Sequence, residues 1–238
     1  MFSQDYVLRM LRQAAAVLAQ ALRLKTSGRY IEAEQSIAGA LEGLTGLPFD
    51  LSSRLDDGSL LEHLRSPEGE LDLDRLLAVA DLTRLHAELL SGQGRRAESE
   101  AAALRALSFY LEAAFSGPEA APALTAAPAE NEEEVVLLPL EAESLDERIE
   151  STAGRLELEA LPPDTLFSLY QYYEMKEDYA KAARAINSLA GSLPGDEAIR
   201  QELEMFFLRL LSLPEADLNR HGFSRAGVEQ RLRDLKHE

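Results

Sequence analysis

Gly92-Gln93-Gly94-Arg95-Arg96-Ala97 has the spacing G-x-G-x-x-A. After a strand and before a helix, that spacing lets backbone amides approach a pyrophosphate at a helix N-terminus. Here the preceding residues, Asp72 to Leu90, have helical period, so the segment reads as a turn between two helices with Arg95 and Arg96 as surface charges. No two of His63, His86, His221 and His237 stand at metal-ligand spacing on one helix. His86 falls where the helical pattern buries Leu and is expected to be partly buried and hydrogen-bonded. Asp56-Asp57-Gly58 lacks the alternating ligands and closing Glu of a calcium loop. Like Asp72 and Asp74, it suits a helix start, where the dipole favours carboxylates. Glu132-Glu133-Glu134 reads as a solvated run. There is no Cys, and no G-x-S-x-G, S-x-x-K, Walker or H-E-x-x-H motif. The expectation is a protein that is not an enzyme, with no catalytic residue, cofactor or metal.

These residues sit in a chain of 238 residues with 42 acidic and 24 basic side chains, a formal net charge of −18. Half of that excess, −9, lies in residues 118–147, which contain no basic residue. Phosphate would be repelled by such a chain, so no nucleic-acid partner is expected. No run approaches the roughly 18 apolar residues of a membrane span, and no secretory signal is recognised. A cytoplasmic location and no membrane partner are expected. Pro118, Pro122, Pro128 and Pro139 combine with the acidic residues to make residues 118–143 read as a flexible linker. It joins an N-terminal helical lobe, 1–117, to a C-terminal helical lobe, 144–238. The apolar island Val135 to Leu140 is either a strap on one lobe or a docking peptide.

Helical period predicts helices over Asp5–Lys25, Tyr30–Gly43, Asp57–Leu64, Asp72–Leu90 and Arg95–Phe115. After the linker, Ser144 and Glu147 form a capping box ahead of Leu145, and Pro163 suits a first helical turn. Further helices follow over Asp178–Ser192, Asp196–Leu211 and Ser224–Leu235. The fold class is all-α, with short turns implying antiparallel hairpins.

Three hairpins share a pattern. The first reads Leu24, Gly28, Tyr30, Ala33, Ile37, Ala40, Leu41. The second reads Leu90, Gly94, Arg96, Ser99, Ala103, Ala106, Leu107. The third reads Leu166, Leu169, Tyr173, Glu177, Tyr179, Ala182, Ile186, Leu189, Pro194. This resembles the tetratricopeptide repeat family, in degenerate form. Glu177 stands at a turn position held by Gly in the other two, and Arg96 and Ser99 replace the aromatic and the close-packing Ala. A second resemblance lies in Met1-Phe2-Ser3-Gln4-Asp5-Tyr6 and in Gly69-Glu70-Leu71-Asp72. These are similar to an uncharacterised family of bacterial helical proteins, over residues 1–115 above all, and imply no catalytic residue.

What remains concerns binding. The first helix is apolar nearly all round, so either it is sandwiched within its lobe or its extra face joins a second copy as a homodimer. The repeat resemblance implies inner-face positions at Leu18, Leu22 and Lys25, at Arg84, Glu88 and Ser91, and at Phe167, Gln171 and Glu174. They do not form a clamp for a carboxylate, so the implied protein or peptide partner is apolar or basic. Tyr170 and Tyr172 either pack between helices or line a peptide-binding face. Leu18, Leu22, Arg84, Phe167, Tyr170 and Tyr172 are thus the candidate partner-binding residues. The expected function is a tetratricopeptide-type scaffold or adaptor; the alternative is a sensor for a peptide or small ligand between the lobes. The basic C-terminal helix, with Arg220, Arg225, Arg231, Arg233 and Lys236, is a candidate dock for the acidic linker.

Overall fold

Alternation of apolar residues at helical spacing with Gly, Pro, Asp and Ser at the boundaries leaves no stretch suited to a sheet. The computed structural model describes residues 4–66, 69–117 and 143–235, with side chains from Arg9 onward. Among these residues it contains twelve α-helices packed as antiparallel pairs. No strand is present among them beyond an isolated bridge between Arg65 and Leu71.

The helices are α1 (Gln4–Thr26), α2 (Tyr30–Thr45), α3 (Phe49–Ser52), α4 (Asp57–His63), α5 (Leu73–Gly92) and α6 (Arg96–Ser116). They continue as α7 (Leu145–Ala153), α8 (Pro163–Met175), α9 (Tyr179–Ser192), α10 (Glu197–Ser212), α11 (Glu215–Arg220) and α12 (Arg225–Leu235). Their starts follow side chains able to accept an orphan amide. Asp56, Asp72, Asp178 and Asp196 cap α4, α5, α9 and α10, and Ser144 with Glu147 forms the capping box of α7. Pro163 occupies the first turn of α8. The short α3 and α11 carry too few residues to show a period and are absent from the sequence-based expectation.

The chain divides into two compact units, Met1–Leu156 and Glu157–Glu238. In the first, α1 pairs with α2 and α5 pairs with α6, while α5 also packs on α1 and α2. In the second, α8 pairs with α9, and α10 packs on α9 and α12. The division falls later than the lobe boundary expected at 144. Helix α7 packs on α6 and so belongs to the first unit, because its Arg148 and Ile149 are buried there. The proposed linker docking and the apolar island Val135 to Leu140 lie outside the described residues.

The first helix is one-faced rather than sandwiched. Leu11, Ala14, Leu18, Ala21 and Leu24 are buried, Met10, Ala15, Val17 and Leu22 flank them, and Arg9, Arg12, Gln13, Ala16, Gln20 and Arg23 face outward. The helix covered on nearly every side is α5, where every residue from Leu76 to Leu85 is buried.

The α1–α2, α5–α6 and α8–α9 hairpins close on the same turn. Gly28 (φ 72°), Gly94 (φ 75°) and Glu177 (φ 57°) are left-handed. The next amide, of Arg29, Arg95 or Asp178, donates back to Leu24, Leu90 or Tyr173 at 2.8–2.9 Å, as in a Schellman closure. At the close-packing position Ala33 and Ala182 are fully buried, and Ser99 Oγ donates to the carbonyl of Ala87 at 2.8 Å. An L side chain in this conformation costs about 1 kcal/mol. Glu177→Gly is therefore expected to stabilise the chain by about 0.5–1 kcal/mol, and Gly94→Ala to destabilise it by about 1 kcal/mol, read as shifts of the urea midpoint.

Candidate functional site

Helix α5 carries two polar stripes. Asp81, Arg84 and Glu88 follow helical spacing on one side, and Thr83 and His86 lie on another. The first stripe holds the segment 143–155. Arg148 Nη1 donates to Asp81 Oδ2 at 2.9 Å, with each side chain 4% exposed. Tyr110 of α6 donates its hydroxyl to Asp81 Oδ1 at 2.6 Å. Arg84 Nη2 lies 2.9 Å from Glu143 Oε2, and its Nη1 donates to Ser151 Oγ at 3.2 Å. Glu88 takes Arg155 Nη2 at 2.7 Å on one oxygen and Lys25 of α1 on the other.

Burial raises the Asp81 carboxyl above the usual carboxylate range, against the pull of Arg148 and the Tyr110 hydroxyl. Burial, then the Asp81 charge, pushes the Tyr110 phenol well up. Burial would raise Glu88 as well, but Lys25 and Arg155 outweigh it and hold that carboxyl below its ordinary value.

The G-x-G-x-x-A segment is an interhelical turn, between α5 and α6. Its chemistry joins two hairpins. Gln93 Nε2 and Arg95 Nη1 donate to Glu34 of α2, at 3.1 and 2.8 Å. Glu34 also lies 3.4 Å from His86 Nε2, whose ring meets Phe49 edge-on at 5.5 Å. Gly92 lies against Tyr30, and a Cβ there would come within 3.0 Å of that ring. Arg96 is a surface charge, paired with Glu100. His86 is partly buried, and burial lowers its pKa against the opposing pull of Glu34. Among the described residues, no three His, Asp or Glu side chains group as a metal site. No described helix is long and apolar enough to cross a membrane.

The candidate partner-binding residues separate. Leu18 is in the core of the first unit, Leu22 is half-buried beside it, and Arg84 is buried under Glu143 and Ser151. In the second unit Phe167 is half-buried, while Tyr170 and Tyr172 are buried. Tyr170 donates to Glu202 at 2.5 Å, and Arg209 of α10 bridges Tyr170, Glu174 and Glu202. Tyr172 packs on Tyr173 and beneath Lys176. Arg84, Tyr170 and Tyr172 therefore do not line an open face; each is consumed by packing in its own unit. What the structure does gather is Arg84 and Glu88, both inner-face positions, on one helical segment, with Lys25, a third such position, paired to Glu88. Sequence reasoning missed Asp81, Tyr110 and Arg148. The available signal was an acid inside the apolar run Leu76–Leu90, which requires a buried partner.

A family model matches the chain over residues 1–238. The chain belongs to DUF6483, a family of unknown function. Membership covers the whole chain, whereas the sequence resemblance was carried above all by residues 1–115. No curated protein and no solved structure matches this DUF6483 member.

Removing one partner of the buried pair leaves a desolvated charge. Arg148→Met is expected to cost about 3–5 kcal/mol in urea unfolding, and Arg148→Met combined with Asp81→Leu and Tyr110→Phe to cost less than Arg148→Met alone. His86 has a second consequence. Its folded pKa is depressed below the unfolded value of about 6.5, so its contribution is complete above that pH and is lost as pH falls. Melting curves from pH 7.5 to pH 5 should therefore fall less steeply for His86→Gln than for the parent chain, on the order of the histidine titration range.

Proposed function

We propose that this DUF6483 chain is a non-enzymatic scaffold or adaptor of the tetratricopeptide type that holds helical segments of a protein partner. The observation that carries this reading is the grip of Asp81, Arg84 and Glu88 on residues 143–155, with Lys25 of α1 holding Glu88 from the other side. That face of α5 is built to receive a helix through charge pairing, and here it receives one from its own chain. The common left-handed closure of three hairpins supports the repeat-like part of the reading. The alternative, a sensor for a peptide or small ligand between the lobes, has less support, because Arg84, Tyr170 and Tyr172 are each engaged within their own unit. A homodimer through α1 also has less support, since the outward face of α1 carries Arg9, Arg12, Gln13, Gln20 and Arg23.

Affinity capture with the full chain, followed by cross-linking and light scattering, tests the proposal. The expected outcome is a retained protein whose cross-links map to α1, α5 or α7. A strict monomer that retains no protein overturns it.

A further inference from the structure

A cavity of about 390 Å³ opens in the first unit, beside the second polar stripe of α5. One wall is Val79, Thr83, His86 and Leu90 of α5, at helical spacing. Ala101 and Ala102 of α6 leave room beside it, and Leu41 of α2 and Phe49 of α3 complete the lining. Its size is within the range of small-molecule sites, and its walls are mainly apolar with a few polar atoms.

Those polar atoms share one property. Thr83 Oγ1 donates its proton to the carbonyl of Val79 at 2.7 Å, and Thr45 donates to Leu41 at 2.8 Å. Ser52 donates to Phe49 at 3.0 Å, and Ser53 to Asp50 at 3.2 Å. Arg105 directs its guanidinium to Asp57 at 3.0 Å and to the carbonyls of Ser52 and Ser53, both at 3.1 Å, with Leu55 also accepting. His86, neutral through burial, presents Nε2 to Glu34, which leaves Nδ1 as an acceptor. The hydroxyl donors of the lining are thus directed into the protein, and Thr83 and His86 offer an incoming molecule lone pairs. Asp57 and Glu98 also line it, Asp57 paired with Arg105 and Glu98 with Arg95. A carboxylate or phosphate would meet those lone pairs; an ammonium group would meet complementary partners.

We propose that this cavity binds a small primary amine on an apolar body, with the amine donating to Thr83 and His86 and the body lying against Leu41, Val79 and Leu90. The proposal is independent of the scaffold reading, which concerns the opposite stripe of α5.

Calorimetric titration of the full chain with 2-phenylethylamine, and separately with 3-phenylpropionate, tests it. The two probes share a phenyl body and differ in the charge of the head group. Saturable binding of the amine is expected, with the acid at least about tenfold weaker. Thr83→Val, nearly isosteric, should weaken the amine by about tenfold, while Thr83→Ser restores it. Ala102→Phe should fill the cavity and abolish binding at an unchanged circular dichroism spectrum. Equal or tighter binding of the acid, no saturable binding of the amine at about 10 mM, or an amine affinity unchanged in Thr83→Val would each overturn the proposal.

Discussion

A carboxylate placed in the middle of an otherwise apolar helix governs the first unit. Asp81 stands among Leu76, Leu77, Val79, Leu82 and Leu85, all buried, so it cannot reach water without exposing them. It must be met by a donor from another element, and it is met by two: Tyr110 from α6 and Arg148 from α7. An ion pair of this kind adds little net stability over an apolar replacement of the same shape. Its effect is selective. Any other covering of that side of α5 leaves Asp81 desolvated with the Tyr110 hydroxyl but without Arg148, so one acidic residue favours α7 as the covering helix. Arg84 and Glu88, at helical spacing from Asp81, then extend the same contact to Glu143 before α7 and Arg155 after it.

The other recurring element is the left-handed turn that closes three hairpins. Its amide returns to a carbonyl in the last turn of the first helix of each hairpin, fixing where the chain reverses and which small residue of the second helix comes closest. Where Gly occupies the turn, that conformation carries no Cβ penalty. Where Glu177 does, the same geometry persists because the flanking helices α8 and α9 bury Leu166, Leu169, Tyr173, Ala182 and Ile186 against their surroundings.

Much of this was legible in the sequence because it is local. Gly28, Gly94 and the Glu177 position mark the turns, and Ser144 with Glu147 and Pro163 mark helix starts. His86 was legible as a half-buried residue because it interrupts a leucine pattern. What failed was non-local. Helix α1 reads as apolar all round because its alanines count as apolar wherever they point, while α5, the helix enclosed on nearly every side, is disguised by Asp81 and Arg84. Tyr170 and Tyr172 look like surface recognition residues by type, yet Glu202 and Arg209, distant in sequence, absorb the Tyr170 hydroxyl. The cavity beside Thr83 depends on where α2, α5 and α6 leave room, which no spacing encodes.

The Asp81–Arg148 contact joins residues 67 apart in the chain. Closing so long a loop costs only slowly more entropy than closing a short one, so distance in sequence is little obstacle to it. The boundary of a self-sufficient fragment is set instead by charge. A fragment ending at Gly117 contains six complete helices, α1 to α6, and looks finished by its periodicity, yet it carries Asp81, Arg84 and Glu88 without Arg148, Glu143 or Arg155. A fragment ending at Leu156 keeps every one of those pairs. The smallest autonomous piece of this molecule is therefore defined where its electrostatic accounts close, about forty residues beyond the point where its first run of helices stops.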